Sequence, residues 1–513
     1  MHRLLVSAAH KSSGKTTLSV GLTAALSAQG LVVQPFKKGP DYIDPMWLTR
    51  AAGRACINLD PHLQDDAALA GAFHRAIAGA ELALVEGNKG LYDGLALDGS
   101  NSNAALARRL DLPVLLVLDA RGMTRGVAPL ILGYQAFDRQ IRIAGVVLNR
   151  VGGSRHESKL RAVIEHYTDV PVIGAVAEDP RLAVTERHLG LMPCAELADA
   201  DAQVQAIGRI VAAQVDLARV RALAAAAGPL PLAAGAPAPP AGAPAPAAAG
   251  TATMPRAAAA PVPGRSLRIG IARDRAFGFY YPDDLAALEA AGAELVFIDT
   301  LHDQRLPELD GLFIGGGFPE ASLEGLAANT ALRAALRQAL EGGLPAYAEC
   351  GGLMYLSRSI RWNDRRAEMV GAIPGDAVMH ARPVGRGYVQ LQETAAMPWP
   401  AAGHESGASI GDRIGDRIEG SAGPGIVRGH EFHHSSLEDV DPSVAYAYRV
   451  QRGHGIDGTH DGVVVHNLLA SYAHLRDGAG SAWATRFMAF VRRQRSALRV
   501  TQPAAAPALW SRP

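Results

Sequence analysis

Short, continuous apolar runs recur along the first half of the chain, and segments of helix length separate them. A strand that is apolar on both faces is buried on both faces, which is typical of a parallel sheet covered by helices. Parallel strands also need long connections, which the spacers supply. The pattern therefore predicts an α/β fold with a doubly wound, mostly parallel sheet. The predicted strands are residues 4–8, 32–36, 82–86, 114–119, 143–149 and 172–175.

The second half of the chain shows the same alternation but ends differently. Its predicted strands are residues 268–272, 294–298, 311–314 and 346–348, and its predicted helices are residues 285–291 and 332–340. An extended region around residues 463–465 comes before a predicted closing helix at 483–493. We expect a second α/β domain with more antiparallel pairing near its end.

Three segments have compositions that cannot build a core. Residues 222–264 are dominated by Ala, Pro and Gly, which is typical of a semi-extended linker. Residues 398–425 contain a repeated Gly-Asp-Arg-Ile and are predicted to be an inserted surface loop. The Pro- and Ala-rich residues 498–513 are predicted to be a disordered tail. We therefore expect one domain at residues 1–221, a linker at 222–264 and a second domain at 265–497.

Charge and cysteine content argue against several classes of protein. Lys plus Arg and Asp plus Glu each number 50, so no overall basic field attracts nucleic acid or an anionic membrane. The three cysteines, Cys56, Cys194 and Cys350, form no CxxC pair, which favours a reducing cytosol over a disulfide framework or a zinc site. The first apolar run is too short for a signal peptide, and no segment reads as transmembrane. We expect a cytoplasmic protein without nucleic-acid or membrane partners.

A phosphate-binding loop follows the first predicted strand. Residues 9–17 read Ala-His-Lys-Ser-Ser-Gly-Lys-Thr-Thr, which keeps the Gly-Lys-Thr core of the pattern but has Ala9 at its first glycine. In such a loop, backbone amides and a helix N-terminus face the phosphates. Lys15 would reach the β and γ oxygens, and Thr16 would hold Mg²⁺. The predicted ATP-binding residues of the loop are Ser13, Gly14, Lys15, Thr16 and Thr17. An ordinary strand-to-helix turn is the alternative interpretation.

Charged residues also follow the second and third predicted strands. Residues 36–45 carry two lysines and two aspartates, and Glu86 ends the third strand. Since the carboxyl ends of parallel strands meet at one edge of a sheet, we expect these groups to converge on the phosphate loop. Oxygen ligands of this kind suit magnesium. The predicted metal ligands are Thr16, Asp44 and Glu86. Each segment, taken alone, could instead be a solvated polar loop.

A cysteine lies on a glycine-flanked turn in the second half of the chain. Cys350 follows the predicted strand 346–348 and precedes Gly351 and Gly352. Small neighbours let the backbone take the sharp turn that exposes a nucleophile, and the amides beyond the turn face the reacting carbonyl. A thiol needs a nearby base to attack as thiolate, and several histidines between residues 430 and 474 are candidates. A buried core thiol is the alternative interpretation.

The segments of the first half resemble the ATP-binding domain of cobyrinic acid a,c-diamide synthases, which is related to dethiobiotin synthetase. The resemblance rests on the phosphate loop, on residues 37–45 and on the run Glu-Gly-x-x-Gly-Leu-Tyr-Asp-Gly at 86–94. It implies that ATP phosphorylates a substrate carboxylate and that ammonia attacks the acyl phosphate. It also implies that Lys37 binds ATP and that Asn149 contacts adenine. The substrate-binding residues that we expect in this domain are Asp41, Tyr42 and Asp44.

The second half resembles the glutamine amidotransferase domain of the same family. The resemblance rests on residues 273–282, 315–320 and 348–356. Residues 467–475 match the segment that supplies the catalytic histidine, which implies that His474 is the base for Cys350. The implied fold of this half is an α/β domain like that of class I glutamine amidotransferases.

The reaction implied by this resemblance releases ammonia from glutamine. Cys350 attacks the side-chain amide, and His474 moves the proton from the thiol to the leaving ammonia. The backbone amides expected to hold the oxyanion are those of Gly316, Gly317 and Gly351. Many related amidotransferases carry a Glu two positions after the histidine. That position is Arg476 here, so the sequence shows no such triad.

The remaining histidines and cysteines have less specific patterns. Residues 428–435 read Arg-Gly-His-Glu-Phe-His-His-Ser, a composition compatible with a metal site. His430 and His433 flank Glu and Phe on a predicted strand, which favours a structural or substrate-facing role instead. Cys56 and Cys194 are predicted to be core thiols.

The resemblance covers nearly the whole chain except the linker, the insert and the tail. It implies ATP-dependent amidation of the a- and c-acetate carboxylates of cobyrinate or hydrogenobyrinate, with glutamine as the ammonia source. The expected partners are a tetrapyrrole and glutamine, and a homodimer is one possible assembly. A first alternative keeps this chemistry but acts on sirohydrochlorin or sirohaem. A second alternative is a non-catalytic nucleotide switch, because partitioning ATPases share this kind of loop.

Overall fold

The computed structural model describes residues 1–183, 186–187, 190–197, 199–229, 266–400, 425–478 and 481–501. Most of the predicted linker, nearly all of the predicted insert and the chain from residue 502 onward lie outside these residues. The chain divides into two compact units, one formed mainly before and one mainly after the segment 230–265.

The first unit is a seven-stranded parallel sheet with the strand order β3-β2-β4-β1-β5-β6-β7. Its elements are β1 (His2–Ala8), α1 (Lys15–Ala28), β2 (Val33–Lys38), α2 (Ile43–Ala52), β3 (Ile57–Leu59), α3 (Asp66–Ala76), β4 (Leu82–Glu86), α4 (Asn103–Arg109), β5 (Val114–Asp119), α5 (Val127–Phe137), β6 (Ile143–Val151), α6 (Ser154–Tyr167), β7 (Val172–Ala177), β8 (Glu186–Arg187), β9 (Gly190–Leu191), α7 (Ala200–Gln214) and α8 (Leu217–Ala225). The predicted doubly wound parallel sheet is confirmed.

Successive side chains of each central strand enter two separate cores. In β1, Leu4 and Val6 pack into one apolar cluster and Leu5 into the other, and all three are fully buried. Alternate residues of a strand point to opposite faces, so helices must cover both sides of the sheet. This burial on both faces of the sheet explains the continuous apolar runs of the sequence.

The structure adds short strands to those predicted for the first unit and extends its last helix. The strand β3 was not predicted, because it has only three residues and carries the polar Asn58 at its centre. The helix α8 continues to Ala225, beyond the predicted domain end at residue 221. Alanine is the strongest helix former, so the Ala-rich start of the predicted linker extends the helix.

The second unit contains a ten-stranded mixed sheet with the order β12-β10-β13-β15-β24-β23-β22-β19-β20-β25. Its elements are β10 (Leu267–Ala272), β11 (Phe277–Phe279), α9 (Pro282–Ala290), β12 (Ala293–Ile298), β13 (Gly311–Ile314), β14 (Gly316–Gly317), α10 (Leu323–Ala328), α11 (Thr330–Glu341), β15 (Ala346–Glu349), α12 (Gly351–Leu356), β16 (Ser357–Trp362), β17 (Arg365–Glu368), β18 (Ile373–Met379), β19 (Gly385–Glu393), β20 (Ile426–His433), β21 (Ser435–Glu438), β22 (Ala445–Arg452), β23 (His460–Val465), β24 (Leu468–Ser471), β25 (His474–Leu475) and α13 (Trp483–Thr501).

The pairing within this sheet changes direction at β24. Strands β12, β10, β13, β15 and β24 run parallel, whereas each pair from β24 through β25 is antiparallel. The predicted increase in antiparallel pairing near the end of the domain is confirmed. The parallel pairing of β15 with β24 sets Glu349 beside Ser471, which brings two distant parts of the chain to one sheet edge.

Two parts of the second unit were not predicted. A separate four-stranded sheet has the order β17-β16-β18-β21, and its short, polar strands gave no clear apolar run. The closing helix α13 continues to Thr501, past the predicted domain end at residue 497. Among the described helices of both units, none combines the length and the apolarity that crossing a bilayer requires.

Candidate functional site

The phosphate loop lies between β1 and α1 and takes a strained backbone path. Ser12 and Gly14 have positive φ angles of 63° and 89°, and the helix begins at Lys15. An added Cβ on Gly14 would lie 2.1 Å from Nδ2 of Asn149, so only glycine fits there. Asn149 donates from Nδ2 to the carbonyl oxygen of Ser13 over 2.9 Å. The prediction of a phosphate-loop turn at this place agrees with the observed geometry.

Lys15 is buried close to the ammonium group of Lys37 and is only 7% exposed. Burial, and then repulsion by the ammonium group of Lys37, lowers the pKa of Lys15 to about 8. Nearby carboxylates of Glu86 and Asp44 oppose this shift. A bound anion would favour the charged form of Lys15, as expected of a phosphate-binding lysine.

The groups predicted to hold Mg²⁺ meet beside this loop. The hydroxyl of Thr16 donates to Oε1 of Glu86 over 2.7 Å and lies 3.2 Å from Oδ2 of Asp44. Nζ of Lys37 contacts the same two carboxylates at 2.8 Å and 2.5 Å. Asp41 lies 3.8 Å from the same ammonium. Segments that follow three different strands therefore converge on one point.

The electrostatics of this cluster are those of a cation site. Burial raises the pKa of Glu86 despite its contact with Lys37. Burial alone would lower the pKa of Lys37, but the carboxylates of Asp44 and Glu86 raise it well above its ordinary value. Oε2 of Glu86 is buried and has no hydrogen-bond partner among the described residues. An unpaired carboxylate oxygen next to a second carboxylate and a hydroxyl fits a Mg²⁺ ligand set.

The other predicted residues of the first unit take supporting places. The hydroxyl of Ser13 donates to the carbonyl oxygen of His10, and Thr17 lies in the first turn of α1, partly buried. Oδ1 of Asp41 accepts the amides of Ile43 and Asp44, which fixes the start of α2 directly after Tyr42.

Sequence reasoning missed two groups that shape this loop region. Asn103 holds residues 88–90 through hydrogen bonds from Nδ2 to the carbonyl oxygens of Asn88 and Gly90, at 2.6 Å and 2.7 Å. Arg150 donates to the carbonyl oxygen of Ser12 and to Asp119, both at 2.8 Å. Asn103 begins α4 and Arg150 lies near the end of β6, and neither residue belongs to a motif that would have marked it in the sequence.

Cys350 occupies the turn between β15 and α12 in the second unit. Its φ of 46° and ψ of −101° lie outside the regions that a non-glycine residue prefers. Its amide donates to the carbonyl oxygen of Ser471 over 2.7 Å. The neighbouring Gly352 leaves no room for a Cβ, which would lie 2.3 Å from the carbonyl oxygen of Ile314. The backbone therefore takes the sharp turn predicted at Cys350, which is 7% exposed.

His474 lies beside this turn, as predicted. It belongs to β25 and is 3% exposed. Burial alone would lower its pKa, but its hydrogen bond with Cys350 and its contact with Glu349 raise the pKa of His474 to about 10. An added Cβ on Gly316 would lie 2.5 Å from Cε1 of His474, so the glycine loop packs directly against the imidazole.

His474 has an acidic partner at a position that the sequence pattern does not indicate. Nδ1 of His474 lies 3.3 Å from Oε2 of Glu349. Glu349 precedes the nucleophile in the chain and is 125 residues from the histidine. The parallel pairing of β15 with β24 brings the two together, and this pairing cannot be read from the spacing around Arg476.

The glycines predicted to hold the oxyanion lie at the nucleophile turn. The amide nitrogen of Gly317 lies 2.9 Å from the position of an added Cβ on Gly351. Gly351 begins α12, whose first amides face the turn. Gly316 and Gly317 form β14, which pairs with β11.

Residues 428–433 lie in the strand β20, so His430 and His433 are on a strand, as predicted, and Ser435 begins β21. The ring of His430 stacks on that of His474 at 4.8 Å between centroids. Burial, and then the charges of His474 and Arg476, keep the pKa of His430 well below its ordinary value. His433 stacks on Tyr472 at 3.9 Å. Among the described residues, no group of three His, Cys, Asp or Glu has a metal-binding arrangement.

A further residue missed from the sequence is Asp461. It is fully buried and accepts the amides of Tyr472 and Ala473, both at 3.0 Å, which fixes the segment leading into His474. Burial raises the pKa of Asp461 to about 6, while these amides oppose the shift. Cys56 and Cys194 are buried at 0% and 8% exposure, as expected of core thiols.

Both halves of the chain match known protein families. Residues 5–191 match the CobQ/CobB/MinD/ParA nucleotide binding domain, and residues 268–479 match the CobB/CobQ-like glutamine amidotransferase domain. The fold and the two sites therefore define a glutamine amidotransferase joined to a nucleotide-binding domain.

Similar proteins cover nearly the full length of the chain. A cobyrinate a,c-diamide synthase of Magnetococcus marinus is 44% identical, over 94% of this chain and 95% of its own. The proteins of the same name from Methanosarcina acetivorans and Listeria monocytogenes are 39% and 35% identical, each over 93% of this chain and over 94% and 96% of their own. The chain belongs to the cobyrinate a,c-diamide synthase family.

Proposed function

We propose that the protein uses ATP and glutamine to amidate the a- and c-acetate carboxylates of cobyrinate or hydrogenobyrinate. The observation that carries this proposal is that one chain brings together two groups of residues suited to the two half-reactions. One unit holds the thiol and imidazole of Cys350 and His474, and the other holds a phosphate loop beside paired carboxylates. The name of the relatives, which match over nearly the whole chain, supports the choice of substrate.

The second unit would release ammonia from glutamine. The sulfur of Cys350 bonds to the amide carbon, and the thiol proton passes to His474. The carbon–nitrogen bond breaks as His474 returns this proton to the departing ammonia. Water then cleaves the thioester to glutamate and restores the thiol. The amides of Gly317 and Gly351, with that of Gly316 next to the imidazole, are the donors that we assign to the oxyanion.

The first unit would convert the substrate carboxylate into an acyl phosphate that ammonia attacks. Mg²⁺ held by Thr16, Asp44 and Glu86 would neutralise phosphate charge when bound. Lys15 and Lys37 add positive charge at the same place, while Ser13, Gly14 and Thr17 shape the loop around the phosphates. We assign adenine contact to Asn149, beyond its observed bond to Ser13. We assign the tetrapyrrole carboxylate to the start of α2, at Asp41, Tyr42 and Asp44.

A parallel assay tests the substrate. The purified protein receives ATP, Mg²⁺ and glutamine together with cobyrinate, hydrogenobyrinate or sirohydrochlorin in separate reactions. Mass spectrometry should detect two successive replacements of OH by NH₂ on cobyrinate or hydrogenobyrinate. Product from sirohydrochlorin alone would overturn the proposed substrate and keep the chemistry.

An ammonia bypass tests the division between the sites. Cys350→Ala should lose glutamine-dependent amidation by about 10³-fold or more, because it removes the thiol that is hydrogen-bonded to His474. The same variant should retain amidation with ammonium salts. A non-catalytic nucleotide switch would show neither activity in the unaltered protein, and glutamine-dependent turnover by Cys350→Ala would contradict the assigned nucleophile.

The setting of the reaction is also part of the proposal. We infer that the enzyme works in the cytoplasm, where its free cysteines would remain reduced. A homodimer is compatible with this function, and light scattering coupled to size exclusion measures the oligomeric state directly.

A further inference from the structure

Glu349 combines three contacts that fix both oxygens of its carboxylate. Oε1 accepts the hydroxyl of Tyr347 over 2.7 Å and the amide of Leu475 over 2.9 Å. Oε2 faces Nδ1 of His474 at 3.3 Å. Glu349 is 3% exposed, so water does not compete for these positions. A carboxylate held in this way has a single orientation toward the imidazole.

Other groups also lie near the imidazole of His474. His430 stacks on one face of the imidazole, and its lowered pKa keeps it neutral. Arg476, two positions after the histidine, is a cation. Cys350 interacts with the ring as the reacting group. The carboxylate of Glu349 is in contact with Nδ1 at 3.3 Å.

The contact with Glu349 also determines which ring nitrogen serves the thiol. A neutral imidazole carries one N–H, and a carboxylate at Nδ1 requires that the proton be there. Nε2 is then left unprotonated and available to the thiol of Cys350. When Nε2 takes the thiol proton, the same carboxylate stabilises the resulting imidazolium.

We propose that Glu349 is the positioning residue of this amidotransferase, taking the role that a glutamate two residues after the histidine has in related enzymes. It orients His474, sets its tautomer and stabilises its protonated form, and it receives no proton itself. The nucleophile and its acidic support thus come from adjacent residues, on the two sides of one strained turn. This inference rests on the glutaminase half of the proposed function.

The variant Glu349→Gln tests this role with almost no change in volume. Its carbonyl oxygen can still accept from Tyr347 and Leu475, but its NH₂ group would then face Nδ1. This geometry favours the tautomer with the proton on Nε2, which cannot act as the base. In serine hydrolase triads the corresponding change of acid to amide lowers kcat by about 10⁴-fold. We expect glutamate release to lose about 10²- to 10⁴-fold in kcat, with KM changed less than about three-fold.

Alkylation of Cys350 by iodoacetamide, followed by peptide mass spectrometry, supplies a second readout. His474 must accept the thiol proton for the sulfur to react, so the rate of alkylation at about pH 7 depends on how His474 is oriented. In Glu349→Gln the rate at this pH should fall about ten-fold and should approach the rate of the unaltered protein above about pH 9. A purely structural role would not change this pH profile.

Tyr347→Phe is the matched control. It removes one hydrogen bond to the same carboxylate but keeps its charge beside Nδ1. We expect a loss of less than about ten-fold in kcat and an alkylation profile like that of the unaltered protein. Equal losses in Tyr347→Phe and Glu349→Gln would overturn the proposal, as would a Glu349→Gln protein with kcat within about three-fold of the original.

Two further measurements separate this test from folding and from substrate choice. Ammonia-dependent amidation by Glu349→Gln should persist, which shows an intact nucleotide site, and its circular dichroism spectrum and urea unfolding curve should resemble those of the unaltered protein, which shows that the second unit is folded. If this variant is insoluble, Glu349→Asp moves the charge away by one methylene and should lose about 10- to 100-fold in glutamate release. An unchanged kcat in Glu349→Asp would then overturn the proposal. Glutamate release and alkylation need no tetrapyrrole, so a wrong substrate leaves this test intact.

Discussion

At the scale of single residues, His474 shows how contact can outweigh burial. Burial disfavours the charged imidazole, but Cys350 and Glu349 raise its pKa to about 10, above the ordinary value of about 6.5. The imidazolium is therefore the preferred form at neutral pH when the thiol is ionised. A proton held between the sulfur and the carboxylate is available to the leaving ammonia.

This raised pKa predicts how stability depends on pH. A group whose pKa is higher in the folded than in the unfolded protein stabilises the fold when it is protonated. This contribution is complete at pH values below the unfolded pKa and is lost as the pH rises through the folded pKa. The contribution of His474 should therefore be complete below about pH 6.5 and vanish near pH 10. The difference in unfolding free energy between the unaltered protein and His474→Gln should shrink by a few kcal/mol, roughly, over this range.

Urea unfolding at intervals from about pH 6 to 10 measures this difference. Parallel curves for the two proteins would contradict the expected protonation of His474. Lys159→Gln, which removes an exposed charge on α6, should give a curve parallel to that of the unaltered protein.

Gly14 supplies a second prediction at this scale. Gly14→Ala puts a Cβ 2.1 Å from Nδ2 of Asn149 at a φ of 89°, so the loop must move. We expect ATP affinity, measured by calorimetry, to fall by about 100-fold or more, because the loop amides would no longer converge on the phosphates. Gly79→Ala has a similar φ of 70° but open space, and it should cost about 1 kcal/mol of stability without changing ATP affinity. Equal affinities for both variants would contradict this role of Gly14.

The same scale shows what sequence could and could not predict of the sites. Lys15, Cys350 and His474 are recognisable because each stands in a long motif. Glu349 also stands in a motif, but its function depends on the pairing of β15 with β24, which brings in a residue 125 positions away. Asp461 belongs to no motif and acts only through the backbone amides that it accepts.

At the scale of elements, the long apolar strands were predictable and the short or polar ones were not. The bounds of β4, β5 and β13 agree with the apolar runs, because burial on both faces marks each residue. The strand β3 and the sheet that contains β16 and β17 are set by pairing with neighbours rather than by their own hydrophobicity. Helix ends in Ala-rich or Arg-rich stretches, as in α8 and α13, extend past the boundaries that composition suggests.

The packing of α1 against α7 predicts opposite effects for two glycines. An added Cβ on Gly21 of α1 would lie 2.3 Å from Cγ2 of Val211 on α7. Alanine is the better helix former, but this overlap should dominate, so Gly21→Ala should destabilise by about 1–2 kcal/mol. Gly133 of α5 is exposed and has nothing within 4 Å of an added Cβ. Gly133→Ala should therefore stabilise by about 0.5–1 kcal/mol.

Urea unfolding of both variants checks this pair of predictions. Stabilisation by Gly21→Ala would mean that α1 and α7 separate at little cost, contrary to the close approach of Gly21 to Val211. Ala334→Gly, at an exposed position of α11, gives the cost of an alanine-to-glycine change and so calibrates helix propensity for the comparison.

At the scale of the whole molecule, the chain carries two reactions in two units with separate cores. Tyr347 belongs to a core of the second unit, whereas Leu4 and Leu5 belong to the two cores of the first. Each unit therefore has its own packing to position its own catalytic groups. A change that removes one reaction should leave the groups of the other in place.

Lys15→Ala tests this separation from the side of the nucleotide site. The substitution removes a buried positive charge that we assign to the transferred phosphate, so amidation should fall by about 10²- to 10³-fold or more with either glutamine or ammonia as nitrogen source. The rate of Cys350 alkylation should stay within about two-fold, because the thiol keeps its imidazole and Glu349. Lys159→Ala, at an exposed position of the same unit, should leave both rates within about two-fold.

If Lys15→Ala slowed alkylation as much as amidation, the two sites would depend on one another at the level of the reacting groups. If ammonia restored amidation in Lys15→Ala, the lysine would belong to the ammonia-producing reaction, contrary to its position in the phosphate loop.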